Sequence, residues 1–136
     1  MRRPLMLSAL PLCALLLAAC GATSTSVSGF SGVKHEIAQA IASFQSDANA
    51  TEEKKICAND LAAHIVQSLG GSRGCEAAIK TQLGQVDNVE LSVQSIQLGP
   101  RGTSARASVK SVHEGKSRPS TMRLVKEGGR WKIAGL

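Results

Sequence analysis

The apolar positions of this chain fall into three successive patterns. From Leu5 to Ala19 they form a nearly unbroken run, interrupted only by Ser8 and Pro11. From Val33 they thin to a helical spacing. Val33, Ile37, Ile41, Phe44 and Ala48 fall on one face of an amphipathic helix over residues 33–48, with Ser31 as its cap. A second helical region runs from Thr51 through Leu69, with Asn59-Asp60 as a restart cap and Gly70-Gly71 as its stop. A third, short helix spans Gly74 to Leu83.

After Asp87 the period becomes two. Val89, Leu91 and Val93 alternate with polar residues, and the phase then slips to Ile96 and Leu98, which predicts a β-bulge. Ala105, Ala107 and Val109 mark a second strand, Met122 and Leu124 a third, Trp131 and Ile133 a fourth. Gly99-Pro100-Arg101-Gly102, Glu114-Gly115-Lys116 and Gly128-Gly129 supply the turns, the last as a two-residue hairpin between Glu127 and Arg130. Helices followed by a run of antiparallel strands predict an α+β domain over residues 33–136, with the helices packed on one face of a four-stranded sheet.

The first apolar run stands apart from that domain. It follows Met1-Arg2-Arg3 and is shorter than the roughly 20 residues of a membrane-spanning helix, so residues 1–19 read as a secretory signal peptide. It closes on Leu17-Ala18-Ala19-Cys20-Gly21, which closely resembles the lipobox of bacterial lipoproteins. The resemblance implies that Cys20 is acylated and becomes the new N-terminus after cleavage. The alternative is an ordinary signal peptide whose Cys20 pairs with another thiol. A single acyl chain binds a bilayer only reversibly, whereas the two or three chains of a diacylglyceryl anchor hold it stably. Nine of the twelve residues 21–32 are Gly, Ser or Thr, so residues 20–32 are expected to be a lipidated cysteine and its flexible tether. The implied location is the extracytoplasmic face of the cell membrane.

Removing that leader changes what the composition means. Of four cysteines, Cys13 leaves with the signal peptide and Cys20 goes to lipid, leaving Cys57 and Cys75. In an exported domain a disulfide is favoured over two buried thiols, and it would staple the second helical region to the third helix. No histidine lies at zinc-finger spacing from these cysteines, so no metal is expected. His35, His64 and His113 are scattered. His64 and Asp60 are the sole base and carboxylate at helical spacing, and so the one catalytic pair to consider; the plainer reading of His64 is a structural or surface histidine. No serine elbow, glycine-rich phosphate loop or carboxylate cluster is present, and no cofactor is expected.

The formal net charge of +6 conceals a segregation. Residues 100–136 hold nine Lys or Arg against Glu114 and Glu127, whereas residues 33–99 hold eight acidic and five basic side chains. Arg106, Lys110, Arg123, Arg130 and Lys132 alternate with the apolar set, which predicts that they share the outer face of the sheet. Such a face either keeps an exposed sheet soluble and blunts its edges, or draws the domain to anionic lipid or polymer beside the anchor. Nucleic acid is disfavoured: the chain is exported, and Phe30, Phe44 and Trp131 are its only aromatic residues for stacking.

The element order, the Cys57…Cys75 pair and the closing segment Leu124-Val125-Lys126-Glu127-Gly128-Gly129-Arg130-Trp131-Lys132-Ile133 resemble small actinobacterial lipoproteins of the nuclear transport factor 2-like class, over residues 33–136. The resemblance implies a cone, in which a curved sheet wraps around the helices and leaves a cavity at its wide end. Phe44, Ile65, Val93, Val109, Leu124 and Trp131 would line that cavity and suit a small apolar ligand, unless they pack together as a core. The class includes ketosteroid isomerase and SnoaL-like polyketide cyclases as well as members without catalysis. Its enzymes place Asp, His or Tyr in the cavity. This chain has no Tyr, and Asp60 and His64 match none of those motif positions. The leading expectation is therefore a membrane-anchored, non-catalytic binding or accessory domain of the cell envelope, whose partners are the membrane, a small apolar ligand or an envelope protein. The alternative is an isomerase- or cyclase-like enzyme using His64 and Asp60.

Overall fold

The computed structural model describes residues 27–136. The expected signal peptide, Cys20 and the first part of the expected tether lie outside the described residues. Among those described, four helices precede a four-stranded antiparallel sheet of order β1-β2-β3-β4 that does not close on itself. The α+β class expected from the change of period is the one observed.

The packed domain begins earlier than the glycine and serine content suggests. Val27–Gly29 forms a 3-10 turn, and Val27 and Phe30 are half-buried against the core. His35 donates from Nδ1 to the Val27 carbonyl at 3.2 Å, which holds the turn to the first helix. That helix, α1 (Gly32–Asn49), buries Ile37, Ala38, Ile41 and Ala48, the stripe that its periodicity predicts. Ser31 occupies the capping position in extended conformation, but its side chain makes no capping bond. At the far end the Asn49 amide brackets Val89, accepting from its N–H at 2.7 Å and donating to its carbonyl at 2.9 Å.

The second helical region is not continuous. A single turn, α2 (Glu53–Lys55), passes into a π-helical turn over Ile56–Asp60, and the backbone then extends at Leu61-Ala62. There Leu61 forms a parallel bridge with Ile133, and the Ala62 N–H donates to the Ile133 carbonyl at 2.8 Å. The break has a tertiary cause: main-chain groups that would have continued the helix instead cover the free edge of the last strand. Asn59 and Asp60 therefore do not cap the next helix. α3 (Ala63–Ser68) starts after Ala62, and its first N–H donates to both carboxylate oxygens of Glu127, at 3.1 and 3.2 Å. α4 (Gly71–Leu83) starts three residues before the expected Gly74. Gly74 sits inside it because a Cβ there would overlap the Leu69 carbonyl oxygen. The expected disulfide is present: Cys57 and Cys75, both buried, join the π-helical turn to α4 with their Cα atoms 6.0 Å apart.

The strands are β1 (Glu90–Leu98), β2 (Ser104–His113), β3 (Lys116–Glu127) and β4 (Arg130–Gly135). The phase slip in β1 is a bulge between Val93 and Ser95, as its spacing predicts. Gly128 and Gly129 take φ of +56° and +79° between the paired Glu127 and Arg130, the left-handed backbone that a two-residue hairpin demands. The first half of β3 pairs only with β2, and its residues Lys116–Thr121 are exposed. Pro119 and the flanking cations discourage pairing along that bare edge.

The helices and the inner face of the sheet enclose one core, whose largest fully buried members include Ile37, Ile41, Ile56, Val109, Met122 and Leu124. Of the six residues proposed as cavity lining, Val93, Val109, Leu124 and Trp131 are buried in that core, and Phe44 and Ile65 lie half-buried against it. They act as packing, which offsets the low aromatic content.

Candidate functional site

Two surface depressions flank the last strand, and His64, Arg106 and Arg123 line one while Asp60, Arg130 and Trp131 line the other. The larger, of about 520 Å³, lies over the outer face of the sheet near the β1–β2 turn and includes Gln97, Ser104, Arg106, Arg123, Val125 and, at its rim, His64. Its centre is set by strand register. Gln97 on β1 pairs with Arg106 on β2, Arg106 with Arg123 on β3, and Arg123 with Gly135 on β4. One row across all four strands thus reads amide, guanidinium, guanidinium, glycine. Directly opposed residues of a sheet have Cβ atoms about 5 Å apart, so two like charges face each other at a separation that ordinarily destabilises a pair.

The glycine in that row has a steric role. Gly135 has φ of +155°, and a Cβ there would lie 2.5 Å from a terminal nitrogen of the Arg123 guanidinium. The bare backbone is the seat on which that guanidinium rests. Beside it, β3 and β4 shift register between Arg123 and Leu124, which makes Ala134 the extra residue of a bulge. The Ala134 carbonyl accepts from His64 Nε2 at 3.2 Å. A carbonyl cannot donate, so His64 carries a proton on Nε2. No Asp or Glu lines this groove, and neither Arg106 nor Arg123 is ion-paired among the described residues.

The smaller depression, of about 240 Å³, lies between α1 and the β3–β4 turn and includes Glu36, Gln39, Asp60, Arg130 and Trp131. Asp60 is the one buried charged residue of the described chain. Burial, then the charge of neighbouring Asp47 and a side-chain hydrogen bond with it, raise its carboxyl from the ordinary 3.8 to about 7, against the opposing pull of Arg130 and Lys132. Among the described residues, Asp60 Oδ2 and the Trp131 indole N–H meet no hydrogen-bond partner. Lys126 stands 5.8 Å above the Trp131 ring and 3.7 Å from Glu36, an exposed and energetically minor pair.

This geometry revises two expectations. His64 and Asp60 belong to different depressions, one on each side of the Leu61-Ala62 break, so the structure does not assemble the catalytic pair that helical spacing implies. The five cations also do not act as one face. Arg106, Lys110 and Arg123 are exposed on it, but the fields of Arg130 and Lys132 act on Asp60, and Lys132 Nζ donates to the Ala58 carbonyl at 3.1 Å. Alternation places a Cβ on a face; a long side chain at an edge strand still reaches around it to a buried charge.

Gln97, Ser104, Ala134 and Gly135 carried no sequence signal of a site, because their roles depend on register and on one bulge. Among the described residues no three His, Cys, Asp or Glu side chains gather as metal ligands, and no helix is long and apolar enough to cross a membrane. No protein-family model and no curated protein matches the chain.

Proposed function

We propose that this protein is a lipid-anchored domain of the extracytoplasmic membrane face that binds a ligand or partner without transforming it. The observation that carries the reading is the lipobox-like Leu17-Ala18-Ala19-Cys20-Gly21 at the end of a fifteen-residue apolar run. Seven residues lead from Cys20 to Val27, the first described residue, which is half-buried against the core. A chain that short spans at most roughly 25 Å, so the anchor would hold the domain against the bilayer surface. The binding role is supported by an acid-free groove on the outer sheet face, and the separation of His64 from Asp60 removes the one catalytic pair that helical spacing offered.

The fold is read as a reduced relative of the nuclear transport factor 2-like class. Its support is the helices-then-strands order and the apolar strand, glycine turn and Trp131-Lys132-Ile133 that close the chain.

Metabolic labelling with a palmitate analogue tests the anchor. The wild-type chain is expected to take up label and partition with membranes. Cys20→Ser is expected to lose the label and to appear in the medium or as unprocessed precursor. A Cys20→Ser chain that remained labelled and membrane-bound would overturn the assignment.

A further inference from the structure

We propose that the outer-face groove is a phosphate-binding site, in which Arg106 and Arg123 clamp the oxyanion from the strands and His64 closes the rim. The proposal deepens the reading of this groove as a binding site, but it does not depend on lipidation at Cys20.

The argument starts from what is unusual about the row. Two arginines directly opposed across β2 and β3 repel, and a structural pair would have a carboxylate between or beside them. Here the neighbours in the row are an amide and a glycine, and no acidic residue lines the groove. The positive charge is therefore left uncompensated where the surface is concave, and low-dielectric walls concentrate a field in a cleft. The Arg123 guanidinium also lies close over the bare Gly135 backbone, where an added Cβ would force it to shift. The planar fork of N–H donors on each guanidinium matches phosphate oxygens two at a time.

The surroundings refine the ligand class. Gln97 at the end of the row and Ser104 two residues along β2 add neutral donors suited to the remaining phosphate oxygens. Val125 and Pro100 give the groove an apolar side, and about 520 Å³ exceeds what a bare phosphate needs. The fit is to a phosphate ester with a small organic portion. Two sources share that chemistry: a soluble phosphorylated compound, and the headgroup of an anionic phospholipid in the membrane itself.

The test uses the chain from Gly21 onward, which retains every residue of the core, sheet and disulfide. Nitrogen-15 NMR follows the Gln97 side-chain amide and the Arg106 and Arg123 Nε–H resonances during titration with inorganic phosphate and with glycerol 1-phosphate. A parallel arm measures co-sedimentation with phosphatidylglycerol vesicles and with phosphatidylcholine vesicles. Saturable shifts at these three residues are expected, with glycerol 1-phosphate the tighter ligand. Arg106→Gln and Arg123→Gln should each weaken binding by about tenfold or more, the loss of one charge-assisted contact. Gly135→Ala should weaken it with the net charge unchanged, by displacing Arg123. Lys110→Gln, which removes a charge from the same face outside the groove, should change it by less than about twofold.

A soluble source shows as titration shifts without selective vesicle binding, and a headgroup source as preference for phosphatidylglycerol that Arg106→Gln abolishes and Lys110→Gln spares. Absence of saturable shifts in the titrations together with absence of any preference for phosphatidylglycerol vesicles overturns the proposal. So does an equal loss from Lys110→Gln and Arg106→Gln, which would mean a diffuse basic face. Neither result would alter the palmitate labelling of Cys20.

Discussion

Replacing Asp60 with Asn should make the protein more stable at alkaline pH, although it alters a buried residue beside a hydrogen-bonded neighbour. The carboxyl ionises near 3.8 in an unfolded chain and at about 7 in the folded one, because burial and Asp47 both disfavour its charge. A raised folded value means the native state holds the proton more tightly. The stability contributed by this group is therefore complete below pH 3.8, and is lost as pH rises towards about 7. Complete loss corresponds to about 4 kcal/mol, and the part lost between pH 5 and pH 8 to about 2–3 kcal/mol. Asp60 is 7% exposed, so solvent screening leaves most of this intact. The effect exceeds anything the exposed Lys126–Glu36 pair provides, and is a large fraction of an ordinary domain's 5–15 kcal/mol.

The amide of Asn cannot ionise, and it still donates to Asp47. Urea unfolding of the oxidised protein at pH 5 and pH 8 reads the difference as a shift in midpoint at constant slope. The substituted protein should exceed wild type by about 2–4 kcal/mol at pH 8, and the gap should shrink by more than half at pH 5. A gap that is the same at both pH values would refute the reasoning. An Asp60 carboxyl carbon that titrates below pH 5 by NMR would refute it directly.

Three other outcomes follow from the packing. Replacing both Cys57 and Cys75 with Ser should cost about 3 kcal/mol, because the bond closes a loop with a sequence separation of 18; calorimetry should show a melting temperature lower by roughly 10 °C. Glu127→Ala removes the carboxylate that receives the first N–H of α3, and should cost about 1 kcal/mol. Hydrogen exchange should quicken in Ala63–Ser68 and leave the centre of the sheet unchanged. Gly74→Ala should cost about 1–3 kcal/mol in denaturant unfolding, because its methyl group overlaps the Leu69 carbonyl, although alanine is ordinarily the better helix residue.

What could be read in advance was local. The stripe of α1 and the bulge of β1 are legible because each depends on side chains within a few residues of one another, and a period of 3.6 or 2 encodes them. The disulfide was legible by compartment and count, without knowledge of where the two cysteines sit in the fold. The break at Leu61-Ala62 has no such local signature. Thr51 to Leu69 contains adequate helix formers, and the interruption arises because β4, seventy residues later, ends the sheet with unpaired groups that Leu61 and Ala62 satisfy.

That one long-range pairing explains most of the errors at the candidate site. It takes Asp60 into the protein beside Asp47 and Trp131, and it sends His64 to the opposite side of β4, where the Ala134 carbonyl accepts from its Nε2. It also draws Lys132 back to Ala58, out of the basic face. What remains on that face is smaller than five alternating cations but better defined, since Arg106 and Arg123 are in register and the bare Gly135 backbone leaves room for one of them. A binding site in this fold is thus a consequence of how the sheet edge is closed. Variants that disturb the Leu61–Ile133 pairing should therefore perturb the groove even though neither residue lines it, whereas variants in the exposed half of β3 should not.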